Sequence, residues 1–408
     1  MRSRILFLGQ NLPFPPHGGA TIRSYHTMRL LGQEFDVTAM CFDKTSMRSD
    51  SVTRVDAQER LRDFGKVEAF DIPQEGRAFR KVMDHLTSVC TRRAYTRWLY
   101  ESTTFRARLR DMVREQDFDL VHLDSLDLIG YWNDLPSCPK VIVHHNIESQ
   151  LLRRRSEVES GAVRAYMRHQ ASLLQKEEIR WAPKVDLNVV VSQEDADTLR
   201  QLAPSARCIV VPNGVDTQDF RPVECPQTDE LVFVGGYGWF PNRDGMTHFV
   251  DEILPLIKKE NPSIKVTWVG RAPEEVAAEM KRRGVMMTGY VDDIRPTVSR
   301  ASCYIVPLRV GGGTRLKILD AWALGKAVVS TSRGCEGLAV HSRENLIVAD
   351  RPEDFAEAVL EVLRDSQLRE KLGQKGRETA VKTYDWAVVG RPLIDTYRKI
   401  MLPEMTSA

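Results

Sequence analysis

The stretch from Val310 to Ser330, VGGGTRLKILDAWALGKAVVS, sets three consecutive glycines ahead of Thr314, Arg315 and Lys317 at the opening of a helical pattern. A helix begins with unpaired N–H groups and the positive end of its macrodipole, so its first turn favours an anion and disfavours cations. Two cations there call for something negative opposite them. Glycines such as Gly313 let the backbone approach an anion closely, Thr314 brings a hydroxyl, and Arg315 and Lys317 bring charge. Asp320 follows where it can accept from hydroxyls of the same ligand, as an acidic residue does toward ribose in dinucleotide folds. The competing reading is a flexible turn followed by a Lys317–Asp320 pair at i,i+3, worth only about 0.2–0.5 kcal/mol and in the less favourable order.

Three more loops carry similar residues. Gly18 and Gly19 follow the apolar run RILFLG and open a helix with Arg23 and His26 in its early turns. FVGGYGWFPNRDG sets Gly235, Gly236 and Gly238 after another such run, with Asn242 and Arg243 within reach of an anion; the same glycines also make an ordinary turn with Trp239 over the core. HHNIES follows KVIV and places His144 and His145 where an imidazole serves as hydrogen-bond donor, general base or structural residue. Asp124 and Asp127, in the neighbouring VHLDSLDL, are placed either to orient a histidine or to cap a helix.

These loops need elements that hold them. Apolar runs on the pattern of buried parallel strands recur as RILFLG, FDVTAMCF, FDLVHLD, KVIVHH and LNVVVS, alternating with helical stretches. After the proline-rich passage from Pro204 to Pro226 the alternation starts afresh with LVFVGG, IKVTWVG, VMMTGY, SCYIVPL, KAVVST and NLIVAD. The reading is α/β with two doubly wound domains, residues 1–205 and 206–385, followed by a helix over 386–408 that packs back on the first. In such sheets ligands bind beyond the carboxyl ends of the strands, where all four loops fall.

The 58 basic and 56 acidic residues nearly balance, which argues against nucleic acid as a partner and makes any anion site local. Seven scattered cysteines, never spaced as C-x-x-C, fit neither a disulfide framework nor a zinc site and read as buried thiols in a reducing compartment. The amino end lacks a signal-peptide pattern, and no apolar run approaches the roughly 18 residues needed to span a bilayer. A cytoplasmic protein is expected.

Taken together, VPNGVD at Val211, FVGG at Phe233 and PLRVGGGTRLKILDAWALGKAVVSTSRGCEGL at Pro307 resemble the retaining GT-B glycosyltransferases of family 4. The resemblance implies two Rossmann-like domains facing each other across a cleft, an acceptor-binding first domain and a donor-binding second one, with the C-terminal helix crossing back. It implies transfer of a sugar from a nucleotide-diphosphate donor to a hydroxyl of a saccharide, lipid-linked or small-molecule acceptor, in polysaccharide or glycoconjugate biosynthesis. No metal or other cofactor is expected. Asp320 falls at the second of the family's two motif glutamates, the ribose ligand, while Gly312 stands at the first. Gly313 and Thr314 would offer backbone N–H groups to the donor, and Arg243, Arg309, Arg315 and Lys317 would be cations for the diphosphate. His145 matches the histidine facing the transferred sugar, and Gly18 and Gly19 match the acceptor-side loop near the diphosphate. A front-face displacement is implied, with fixed donors stabilising the leaving group.

From Arg77 to Arg114 ten basic residues stand against three acidic ones, with Tyr95, Trp98, Tyr100 and Phe105 interleaved. Such helices are expected either to rest on an anionic membrane, peripherally at its inner face, or to be ordinary solvated faces. Two other classes stay open: an epimerase on the same fold, which would turn over without acceptor, and a non-catalytic nucleotide-sugar or glycan-binding protein, which Gly312 allows.

Overall fold

The structure, a computed structural model, describes residues 2–44, 52–223, 228–311 and 316–402. The chain divides into two compact units, Met1–Pro212 with Gly390–Ala408, and Asn213–Val389.

In the first unit seven parallel strands form one sheet: β1 (Arg4–Gly9), β2 (Asp36–Asp43), β3 (Lys66–Asp71), β4 (Leu120–Leu123), β5 (Lys140–Val143), β6 (Leu187–Val190) and β7 (Cys208–Val210), in the order β3-β2-β1-β4-β5-β6-β7. The side chains alternate between two cores, as the pleat requires. Ile5, Phe7, Val37, Ala39, Val141 and Val143 face one cluster with Met28 and Leu31 of the Gly19–Glu34 helix and Leu393, Ile394 and Tyr397 of the C-terminal helix. Leu6, Leu8, Met40, Phe42 and Ile142 face the other, closed by Phe105, Leu109 and Met112 of the Thr103–Glu115 helix. Burial on both faces is what makes these strands read as unbroken apolar runs.

The second unit repeats the plan with six strands, β8 (Thr228–Val234), β9 (Lys265–Val269), β10 (Met286–Met287), β11 (Ala301–Val306), β12 (Val328–Ser330) and β13 (Ile347–Val348), in the order β10-β9-β8-β11-β12-β13. Trp268, Trp322, Phe249 and Phe355 fill its core. Arg377 fastens the Ser366–Thr379 helix to the rest of the unit by donating to the carbonyls of Phe220, Ala323 and Thr217. In each sheet the chain winds one way from its first strand and then the other, so β1/β4 and β8/β11 are switch points, where crevices open at the carboxyl ends.

Two expectations need correction. Tyr100 and Phe105 are core residues, 7% and 0% exposed, because they pack on Phe42, so they are no part of a surface belt. Arg106, Arg108 and Arg110 are also engaged: Arg106 pairs with Glu101 and Asp134, Arg108 with Glu68 and Glu115, and Arg110 with Asp134. Among the cysteines, Cys41, Cys303 and Cys335 are buried, Cys138 and Cys208 partly so, and Cys90 is exposed, because it lies on the outward face of the Ala78–Thr91 helix. Among the described residues no helix is long and apolar enough to cross a membrane.

Candidate functional site

At the β8/β11 switch point the chain leaves β8 through Gly235 and Gly236. Gly235 has φ +156°, and a Cβ there would lie 2.5 Å from Asn242 Nδ2, so only glycine lets the Asn242 amide sit against the loop. Asn242, in the first turn of the Phe240–His248 helix, donates from Nδ2 to Gly236 O at 3.0 Å. Its Oδ1 accepts from Lys317 Nζ at 2.7 Å. Lys317 belongs to the Leu316–Ala323 helix that follows β11, and its ammonium lies 4.1 Å from the centroid of the Phe233 ring. One amide therefore ties the glycine loop after β8 to a cation from the other side of the switch point.

Arg243, next along, rests against the rings of Tyr237 and Phe240, 5.7 and 5.4 Å from their centroids. Stacking on rings leaves a guanidinium's N–H edges open to an anion. Arg309 donates to both oxygens of Asp244 at 3.1 and 2.6 Å, so its charge is shared with a carboxylate of the same helix. Asp320 lies one turn beyond Lys317. Burial pushes its carboxyl up to about 7 against the pull of Lys317, so in the free protein it gains its proton near neutrality. Gly312, Gly313, Thr314 and Arg315 lie outside the described residues.

The first unit has the matching arrangement at β1/β4. Gly18 caps the Gly19–Glu34 helix without a side chain, its N–H donating to Thr21 Oγ1 at 2.9 Å. Two turns on, Ser24 donates from Oγ to Asp124 Oδ2 at 2.5 Å, spanning from the helix after β1 to the end of β4. His145, just past β5, donates from Nε2 to the carbonyl oxygen of Asp124 at 2.8 Å, with Asp124 Oδ2 at 3.6 Å. A carbonyl oxygen only accepts, so Nε2 carries the hydrogen and Nδ1 is the acceptor of neutral His145.

Asp124 is wholly buried, which alone would raise its carboxyl; the imidazoles of His145 and His122 outweigh that and hold it below the usual range. His122, also buried, is kept neutral by burial, and its Nδ1 meets Tyr397 Oη of the C-terminal helix at 2.7 Å. Arg23, expected near an anion, is instead only 2% exposed; it turns inward, where burial lowers its pKa to about 10 against the attraction of Asp124. His144 is structural: its Nε2 bonds Asn188 Oδ1 at 2.9 Å, and burial lowers its pKa to about 4.

The structure thus collects Gly235, Gly236, Arg243, Lys317 and Asp320 in one unit, and Gly18, Gly19 and His145 in the other. Sequence reasoning missed the bond from Lys317 to Asn242, the Ser24–Asp124 link and the role of Tyr397. None gave a local signal, since the partners lie 75, 100 and 275 residues apart along the chain. Among the described residues no group of three or more His, Cys, Asp or Glu gathers as a metal site.

The chain matches two glycosyltransferase family models. Residues 18–219 match the family described as Glycosyltransferase Family 4, and residues 228–365 match Glycosyl transferases group 1. An uncharacterized 44.6 kDa protein in the cps region of Klebsiella pneumoniae is 30% identical over 139 residues, covering 32% of this chain and 36% of that one. The alpha-maltose-1-phosphate synthase of Mycolicibacterium smegmatis is 26% identical over 252 residues, covering 53% and 63%. The chain therefore matches less than two thirds of the length of either curated relative. Anabaena HepE, solved with UDP and glucose, superposes with a TM-score of 0.69 at 15% identity, over 97% of this chain and 100% of that one.

Proposed function

Because the chain belongs to the glycosyltransferases of GT-B fold, we propose that it is a retaining, metal-independent transferase that moves a sugar from a nucleotide-diphosphate donor to a hydroxyl. The acceptor is a saccharide, a lipid-linked sugar or a small molecule, and the setting is polysaccharide or glycoconjugate biosynthesis. The observation that carries this reading is the tie from Lys317 through Asn242 to Gly236, which fixes a cation beside a glycine loop at the β8/β11 switch point. The UDP and glucose bound to Anabaena HepE support a nucleotide-sugar donor, and the maltose phosphate made by the Mycolicibacterium relative supports a saccharide acceptor.

In this reading the diphosphate lies against Gly235 and Gly236, with Lys317 and Arg243 as its cations and Asp320 accepting from the ribose hydroxyls. When the anomeric C–O bond breaks, negative charge grows on the departing diphosphate. Lys317 is already held by Asn242, so its charge acts without reorganisation, which is where fixed electrostatics gain most. The leaving phosphate oxygen takes the acceptor hydroxyl proton while the new C–O bond forms on the same face, which preserves configuration. His145 accepts through Nδ1 from a hydroxyl of the transferred sugar and so orients it. Gly18 and Gly19 serve the acceptor side, Arg309 adds charge beside Asp244, and Gly313, Thr314 and Arg315 would complete the phosphate cradle.

Incubation with a panel of sugar nucleotides and simple glycoside acceptors, followed by NMR of the anomeric proton, tests this. A product with the donor's anomeric configuration is expected. An inverted product refutes retention, and a changed sugar nucleotide without acceptor would make the protein an epimerase.

A further inference from the structure

Near His145 the first unit holds a polar recess that its own residues leave incomplete. Tyr100, just past the Tyr95–Leu99 helix, is only 7% exposed, and its ring packs on Phe42 with centroids 5.2 Å apart. Tyr131 Oη donates to the Tyr100 carbonyl at 2.5 Å, which fixes the backbone there. The Tyr100 hydroxyl itself has no hydrogen-bond partner among the described residues. Burial raises its pKa, and the charges of Asp127 and then Glu148 raise it further, so the hydroxyl faces these two carboxyls. A nearly buried hydroxyl without a partner costs stability unless something completes it.

Both carboxyls are recessed but keep part of their surface open. Asp127 lies in the Leu126–Asp134 segment after β4, where its N–H donates to Ser125 Oγ at 3.1 Å. Glu148 opens the Glu148–Val158 helix after β5, and its Oε1 accepts from Asn146 Nδ2 at 3.2 Å. Neither has an ion pair among the described residues. Burial and then Asp127 push Glu148 up to about 8, Glu178 and Asp195 add to the effect, and the Asn146 amide opposes it. Burial also raises Asp127, against the Thr96 and Ser125 hydroxyls and His145. Glu178 is committed elsewhere, accepting from Ser149 N and Oγ at 3.0 and 2.5 Å. What the recess lacks is positive charge. A neutral polyol would satisfy Tyr100 and leave two carboxyls that resist ionising together, and an anion would add to their repulsion. A protonated amine gives both a charge-assisted bond, and the helix start then favours the ionised Glu148.

We propose that this recess receives an ammonium group, so that the acceptor is a sugar or polyol carrying a protonated amine, held by Asp127 and Glu148 with one of its hydroxyls on Tyr100. Its role as acceptor rests on the transferase reading; its binding does not. The test is NMR titration of the full chain, at about pH 6.5, with the methyl glycosides of glucosamine, galactosamine and mannosamine, each against its parent methyl hexoside. At least one amine should bind about 10–100-fold more tightly than its parent, the worth of charge-assisted bonds. Calorimetry in buffers of different ionisation heat should show proton release on binding, because the ammonium drives Glu148 to ionise. Glu148→Gln should bring the amine down to its parent's affinity and abolish the proton release. Its thermal midpoint at about pH 6.5 should stay near the wild-type value, since the carboxyl it replaces is already neutral there. Tyr100→Phe, which removes only the unpartnered hydroxyl, should weaken amine and parent alike by about fivefold. Equal affinity for amine and parent across the panel, or no binding of either, overturns the proposal, as does an amine preference that Glu148→Gln retains. Thermal stabilisation by nucleoside diphosphates, measured on the same protein, separates the two readings. Where a diphosphate stabilises the chain and the amines gain nothing, the acceptor class falls and the transferase reading stands.

Discussion

Lys317 donates through Nζ to Asn242 Oδ1 at 2.7 Å, so the helices that follow β8 and β11 are tied together where those two strands diverge. The first unit has the same device at β1/β4, where Ser24 reaches Asp124 at 2.5 Å. In both places one side chain spans the switch point and holds a polar group at the carboxyl end of the sheet.

Removing the cation should therefore separate the parts of a nucleotide ligand. Lys317→Ala is expected to weaken nucleoside diphosphate binding about 10–100-fold, the worth of a charge-assisted bond, and nucleoside binding hardly at all. Asn242→Ala leaves the charge but loosens its position, so a smaller loss is expected. Calorimetric titration with both ligands decides, and equal losses would remove Lys317 from the diphosphate.

His145 lies in the other unit, and its replacement should have a different signature. His145→Ala is expected to abolish transfer while nucleoside diphosphate affinity stays within about twofold of wild type, since no nucleotide contact is lost. Steady-state rates alongside the same titrations make the comparison.

The buried group behind His145 is expected to matter for stability. Asp124→Ala leaves Arg23 buried without its carboxylate and should cost about 3–5 kcal/mol. Tyr397→Phe removes one hydrogen bond to His122 and should cost about 1 kcal/mol. Urea unfolding monitored by tryptophan fluorescence measures both.

Asp320 should make donor binding depend on pH. Ribose hydroxyls donate to a carboxylate, and the carboxyl in the free protein ionises only near 7. Affinity for a sugar nucleotide, whose bridging diphosphate does not titrate there, should rise from pH 6 to 8 and level off above. Asp320→Asn should flatten the profile as well as lower it.

Glu148 bears on stability in the same range. Burial and the nearby Asp127 push its carboxyl up to about 8, with the Asn146 amide opposing. The folded state then holds a proton that the unfolded state has released, so this contribution is full below the ordinary glutamate range and is lost as pH rises through 8. The midpoint of thermal unfolding should fall over that interval, and Glu148→Gln should reduce the fall.

How much of this was legible in the sequence depends on burial. Five strands of the first unit and β8, β9, β11 and β12 of the second announce themselves because the sheet interior covers them, whereas VMMTGY and NLIVAD read as apolar although β10 and β13 are edge strands and Met286 is exposed. β3 and β7 are edge strands, partly buried throughout or exposed at their ends; KVEAFD lacks an unbroken apolar run, and CIV is apolar but only three residues long. The glycine loops were readable because glycine marks close backbone approach. The partners of Arg23, His122 and Arg309 were not, since each is set by strand order rather than by neighbours in the chain. The Ala78–Thr91 helix was read by its charges and nearby aromatics, but which face turns outward is decided by Gln170 and Tyr166.

The most direct test is thermal stabilisation of the full chain by UDP, GDP, ADP, TDP and CMP, with magnesium and with chelator, because a ligand that binds only the folded state raises its stability. The account predicts that one nucleoside diphosphate raises the unfolding temperature equally under both conditions and that Lys317→Ala loses the effect. No response to any of these nucleotides, or a response only with magnesium, would contradict it.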